Sequence, residues 1–240
     1  MQTKFIPNQP FVSHRDAIVS LIDHETEERV DRIEKEFTDG FNLVNDNHYT
    51  VTVFGSARAT EKDKSYQDAR QLGKLLANEG FAVVTGGGGG IMEAANRGAF
   101  EAGGRSIGLN IQLPHEQQLN AYTTESMGFH YFFARKVMLV YAASALVVFP
   151  GGFGTLDELF EVITLVQTGK MPSLPIILVG TEFWEPLDEY IRNSMLHEKL
   201  ISPGDEALYY ITDSLEEIAQ IVSYHRDATS VLATANAARA

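Results

Sequence analysis

Three observations in the sequence predict an α/β fold: a Rossmann-like, three-layer, doubly wound parallel sheet with an extra N-terminal helical segment. From Tyr49 onward, strand-like and helix-like segments alternate. The strand-like segments are continuous apolar runs without two-residue alternation, the pattern of strands covered on both faces. Two glycine-rich turns, at residues 86–90 and 150–155, each follow such a run and open a helical pattern, as loops do at the carboxyl edge of a parallel sheet.

The first 12 residues read as an extended arm, because Pro7 and Pro10 oppose a helix start. From Ser13 on, Ile18, Leu21, Ile22, Val30, Ile33 and Phe37 recur near helical spacing between charges. They predict one amphipathic helix of about 20 residues, or two short ones, ending before Gly40 and packed outside the core or on another subunit. Arm and helix make up a segment over 1–48, and no repeat or linker divides the single domain expected over 49–226.

Within that domain, Thr50, Val51, Thr52, Val53 and Phe54 form a β-branched strand stopped by Gly55 and Ser56. Residues 65–79 read as a helix ending at Gly80, 81–84 as the next strand, and 91–102 as a small-residue helix closed by Gly103 and Gly104. A third strand is expected over 106–111, then a polar loop around 114–126. Residues 132–144 read as a helix and 145–149 as a strand. After the second glycine turn come a helix through Gln167, a strand over 175–179, and helices over 183–196 and 214–224. The end of the chain, 227–240, rich in Ala, Thr and Ser, is expected to be a flexible, frayed tail.

The chain has 240 residues, enough for one such domain with appendages. Its 19 basic and 32 acidic residues give a net charge of −13, which opposes a sequence-independent grip on nucleic acid or an anionic membrane. A small anionic ligand needs only a local positive pocket and is not excluded. The absence of cysteine rules out disulfides, thiolate metal sites and cysteine nucleophiles. The seven histidines are scattered, so no metal and no resident cofactor are expected. The N-terminus carries no apolar signal-like region, and no apolar run reaches the roughly 18 residues of a membrane span. The expectation is a soluble, cytoplasmic protein.

Five consecutive glycines, Gly86, Gly87, Gly88, Gly89 and Gly90, after a buried strand exceed what a tight turn needs. They suit close backbone approach to a ligand, with the next helix offering free amides to an anion. The ligand class can be narrowed. In a Gly-x-Gly-x-x-Gly dinucleotide motif the third glycine position falls on Ile91 or Met92, and near the end of the following strand stand only the neutral Asn110 and Gln112. Neither cluster is followed by Lys-Ser or Lys-Thr, so the P-loop is excluded too. A mononucleotide-sized anion remains.

In the second turn, Gly151, Gly152, Gly154 and the Thr155 hydroxyl make a phosphate cradle at a helix start. Asp157, Glu158 and Glu161 follow. Acidic residues there also complement the helix dipole, and that bland role suits Asp157; Glu158 stands open between dipole and ligand. Arg135 and Lys136 open an otherwise apolar helix and are read either as the local positive pocket or as its solvated end. Arg58 is a further cationic candidate.

The glycine run with Ile91, Met92, Glu93 and Ala94, the Arg135-Lys136-x-Met138 string and the Pro-Gly-Gly-x-Gly-Thr-x-x-Glu string ending at Glu158 resemble the LOG family. Its members are cytokinin riboside 5′-monophosphate phosphoribohydrolases, often mislabelled lysine decarboxylases. The resemblance covers about residues 50–196; the segment before it resembles longer bacterial members. It implies homodimers or larger assemblies with active sites near the subunit interface, and hydrolysis of a nucleoside 5′-monophosphate to free base and ribose 5-phosphate. It carries catalysis to Glu158 and Arg135. Ser56, Arg58, Gly87, Gly88, Gly89, Met92, Glu93 and Lys136 would line the nucleotide pocket, with Gly151, Gly152, Gly154 and Thr155 receiving the phosphate. A pyridoxal decarboxylase would need a Schiff-base lysine, and no lysine here is recognisable as one. A nucleotide-binding carrier or sensor without turnover is the alternative; it would dispense with Glu158 and Arg135.

Overall fold

The computed structural model describes residues 26–47, 49–112, 118–141 and 143–237. The expected arm, the beginning of the amphipathic segment, part of the polar loop and the last three residues lie outside the described residues. The elements in chain order are α1 (Thr26–Asn45), β1 (Thr50–Phe54), α2 (Lys64–Asn78), β2 (Ala82–Thr85), α3 (Ile91–Glu101), β3 (Ser106–Ile111), β4 (Glu125–Phe129), α4 (Phe132–Tyr141), β5 (Ala143–Val148), α5 (Phe153–Gln167), β6 (Ile176–Val179), α6 (Thr181–Tyr190), β7 (Tyr210–Thr212) and α7 (Leu215–Ala237). Among the described residues no helix is long and apolar enough to cross a membrane.

Among the described residues, seven strands form one sheet, all parallel, in the order β4-β3-β2-β1-β5-β6-β7. The chain winds outward from β1 to β4, then returns to pair β5 against the other side of β1, with Phe54 opposite Val148. That reversal is the topological switch of a doubly wound sheet, where ligands sit. Successive side chains of each central strand enter opposite cores. Val51, Val53 and Val83 pack beneath α2, α3 and α7 with Leu72, Ile91 and Ile218. Phe54, Val84 and Leu146 pack beneath α1, α4, α5 and α6 with Met138, Leu159 and Trp184. Each large side chain so buried contributes about 1.5–3 kcal/mol.

The central strands and most helices follow the sequence expectation; the differences are at the edges. β4 lies partly in the expected polar loop. Its residues, ESMGF, lack the apolar run because an edge strand is half exposed. β7 is a three-residue edge with the same cause. The segment 183–196 is not one helix: α6 contains Pro186 and passes into a single π-helical turn, Ile191–Leu196. α7 continues to Ala237, beyond the expected end, so residues 227–237 are helical where fraying is predicted.

The larger correction concerns Gly40. It does not stop α1, which runs through it to Asn45. A Cβ at this position would stand 2.7 Å from Met138 Cγ, so glycine here permits α1 to lie close against α4. Four residues earlier, the buried Glu36 reaches the entrance of α4. Its Oε1 accepts from His130 N (2.7 Å) and its Oε2 from Tyr131 N (3.3 Å), satisfying amide donors that a helix start leaves open.

Candidate active site

The two glycine turns meet at Ser56, just beyond β1. Ser56 N donates to Pro150 O (3.0 Å), at the mouth of the second turn, and Ser56 O accepts from Ile91 N (3.0 Å), where the first turn enters α3. The Ser56 hydroxyl accepts from Arg58 N (3.1 Å), and Arg58 itself is exposed. Main-chain bonds thus place Ser56, the first turn and the second turn side by side at the switch point.

Arg135 enters this cleft from α4. A Cβ on Gly86 would stand 2.8 Å from Met92 Sδ, too close, and 3.5 Å from Arg135 Nη1, an ordinary contact, so glycine lets the turn lie against Met92 with Arg135 alongside. Arg135 is buried, and its Nη2 donates to Glu158 Oε1 at 3.2 Å. Their side chains keep only 11% and 15% of their exposure. Among the described residues Arg135 Nε has no hydrogen-bond partner, so the guanidinium retains donor capacity. Burial pushes the Glu158 carboxyl up to about 7, against the opposing pull of Arg135 and Lys136. Burial also lowers the Arg135 pKa, opposed by Glu158, yet an arginine stays charged at any working pH. A carboxyl balanced near neutrality beside a fixed cation is suited to exchanging a proton.

Glu158 lies in the second turn of α5, and the second glycine cluster leads into that helix, with Gly152 at its N-cap. Gly151 lies directly beneath the buried Thr155, whose Oγ1 occupies the space a Cβ on Gly151 would take. Gly152 and Gly154 face open space, leaving the helix start accessible.

Two expected site residues point elsewhere. Lys136 does not join Arg135 in a cationic pocket. Neighbouring residues on a helix are turned about 100° apart, and Lys136 Nζ pairs with Asp157 Oδ2 (2.8 Å) and Glu161 Oε2 (2.9 Å) along α5. Burial lowers its pKa, but the two carboxylates outweigh that and raise it. Glu93 accepts from Tyr66 OH at 2.8 Å; burial and this bond push the phenol up to about 12. Glu93 is thus turned toward α2. A groove of about 820 Å³ bordered by Lys136, Tyr141, Glu161, Lys170 and His225 lies along α4 and α5 and includes no residue of either glycine turn, so cavity size does not mark the chemistry.

Residues 92–222 match a family model described as "Possible lysine decarboxylase", more than half of the chain. A probable cytokinin riboside 5′-monophosphate phosphoribohydrolase of Oryza sativa subsp. japonica is 31% identical over 182 residues, covering 72% of this chain and 73% of that one. The chain belongs to the LOG family. A second LOG relative, the cytokinin riboside 5′-monophosphate phosphoribohydrolase of Rhodococcoides fascians, is 27% identical over 173 residues, 70% of this chain and 85% of that protein. The molybdenum cofactor carrier protein of Chlamydomonas reinhardtii shares the LOG fold, with a TM-score of 0.56, 24% identity and coverage of 74% and 98%.

The sequence reading of this LOG chain missed the polar cluster behind the first turn. Thr85, Asn96, Ser106 and Asn120 are buried and bonded to one another or to the turn. No spacing signal announces them, because they come from four separate segments.

Proposed function

We propose that this protein hydrolyses the N-glycosidic bond of a nucleoside 5′-monophosphate, AMP or an N6-substituted AMP, to free base and ribose 5-phosphate. The observation that carries the reading is the part-buried Arg135–Glu158 pair, with Arg135 beside the head of the first glycine turn; the names of the LOG relatives agree with it. Water adds its hydroxyl to the anomeric carbon, the bond to the base nitrogen breaks, and the proton from water ends on the departing base. The sugar passes through an oxocarbenium-like state. Glu158 stabilises that charge, holds a ribose hydroxyl or activates the water. Arg135, permanently charged, orients and polarises. The turn through Gly151, Gly152, Gly154 and Thr155 receives the phosphate, whose remote binding energy holds the reacting carbon in place. Ser56, Arg58, Gly87, Gly88, Gly89 and Met92 border the nucleotide, whereas Lys136 is assigned to fastening α4 onto α5.

Incubation with AMP and N6-substituted AMP, followed by separation of products, tests this. Free base and ribose 5-phosphate are expected, and Glu158→Gln is expected to abolish them in a folded protein. Inorganic phosphate with intact nucleoside would mean a phosphatase instead. Thermal stabilisation by AMP without product would mean a carrier or sensor.

We propose in addition that the protein is a homo-oligomer. Phe133, Val137 and Tyr141 lie at four-residue steps along α4, forming an exposed apolar stripe beside Phe132, and Phe153 at the start of α5 is 93% exposed. Sedimentation of the wild type beside Phe133→Glu tests it: a dimer or larger species dissociating in the variant is expected, and a monomeric wild type refutes it.

A further inference from the structure

We infer that Asn120 is a positioning residue of this site, holding the first glycine turn in the orientation that presents the Gly88 and Gly89 amides as paired donors to the nucleotide. The inference rests on the nucleotide reading above. Asn120 N donates to Gly87 O at 2.8 Å, and Asn120 Nδ2 donates to Gly88 O at 3.1 Å. In a trans peptide the N–H points opposite to the C=O of the same unit. Drawing the Gly87 and Gly88 carbonyls toward Asn120 therefore turns the Gly88 and Gly89 N–H groups to the side away from it. Among the described residues neither amide donates a hydrogen bond. The Gly87 amide, by contrast, is consumed internally by Thr85 Oγ1 at 2.9 Å.

Asn120 is itself fixed. It is 7% exposed, its Nδ2 also reaches Asn96 Oδ1 (3.0 Å), and its Oδ1 accepts from Tyr122 N (3.0 Å). Asn96 Oδ1 accepts a hydrogen bond from the Thr85 hydroxyl (2.5 Å), and Asn96 Nδ2 donates to Ser106 Oγ (2.8 Å). Leu119 packs onto Gly87 and Gly108, seating the same loop. A satisfied buried network of this kind specifies one arrangement. The turn it holds runs from Arg135, beside Gly86, to Ser56 and Ala57, beside Gly90, so the two presented amides lie between the catalytic candidate and the switch point. Donors fixed before the ligand arrives cost little to reorganise.

The test uses the full chain. Asn120→Ala and Asn120→Asp are compared with Trp184→Phe, which removes a buried hydrogen bond to Val179 O elsewhere in the fold. Below all unfolding midpoints, both Asn120 variants are expected to lose on the order of 10- to 100-fold in kcat/KM for AMP, with weakened AMP binding by calorimetry. Trp184→Phe loses thermal stability and keeps its kcat/KM. Asn120→Asp retains the acceptor for Tyr122 and loses the donor to Gly88 O, separating orientation from loop anchoring. Wild-type kcat/KM and affinity in both Asn120 variants would overturn the inference. Independently of whether those variants fold, 15N-glycine spectra of Glu158→Gln, in which AMP persists, are expected to show the Gly88 and Gly89 amides shifting on AMP addition. No shift overturns the inference. If the amides shift but the wild type cleaves no nucleotide, the hydrolase reading fails, and the positioning role stands or falls with the loss of AMP affinity in both Asn120 variants; cleavage with unmoved amides keeps the hydrolase reading and overturns the inference.

Discussion

Replacing Glu158 with Gln removes one titrating carboxyl from a largely enclosed position while keeping its shape and an oxygen within reach of Arg135 Nη2. In the wild type, the carboxyl rises from its ordinary 4.5 to about 7, with burial as the leading cause. Between those two values the folded protein holds a proton that the unfolded chain has released. Raising the pH therefore favours unfolding over that window. At about 1.4 kcal/mol per pH unit the rise amounts to about 3 kcal/mol, present below the lower value and lost as pH passes the upper one. The side chain is only 15% exposed, so solvent screening removes little of it, and the Arg135 pair does not offset the desolvation. The assay is denaturant unfolding of wild type and Glu158→Gln side by side from below pH 5 to above pH 8. Other titrations cancel in the difference. The wild type is expected to lose about 3 kcal/mol relative to the variant across the window and nothing further above it. A difference that stays flat within about 1 kcal/mol, or one in which the wild type gains stability with pH, refutes the argument that burial outweighs the ion pair.

Three further outcomes are expected. Gly86→Ala pushes a methyl toward Met92 Sδ and Arg135 Nη1, and should lower kcat/KM for AMP about tenfold or more while leaving the unfolding midpoint nearly unchanged, because the methionine tip can yield. Glu36→Ala strips the acceptor from two amides at the entrance to α4 and should cost about 2–3 kcal/mol in chemical denaturation. Arg135→Lys keeps the charge but loses the planar fork that meets Glu158; turnover should fall at least about tenfold, and wild-type rates in that variant would remove Arg135 from the chemistry.

The legible part of this fold is its interior. β1, β2, β3, β5 and β6 are written as apolar runs because both faces of each are covered. β4 and β7 are not, since edge strands answer to solvent on one side and their pairing is dictated by neighbours far along the chain. Gly40 illustrates a second kind of failure: as a local signal it reads as a helix end, whereas its reason is a tertiary neighbour, Met138. At the site, the strings carrying Arg135 and Glu158 each name one residue, and the fold brings the two within 3.2 Å. Lys136 was misplaced by reading adjacency in sequence as adjacency in space, which helical geometry denies. Asn96 and Asn120 stayed invisible because their roles exist only through contacts between separate segments.

Ser56 ties the two glycine turns together through its own amide and carbonyl, while among the described residues its hydroxyl bonds only to the amide two residues on. The architectural task at this position is therefore carried by atoms that every residue except proline possesses. Substitution by any residue but proline leaves the bond between the turns in place, whatever it does to the side chain. Position 56 thus separates frame from fitting: its main chain joins the two turns, and its side chain is left outside that joint.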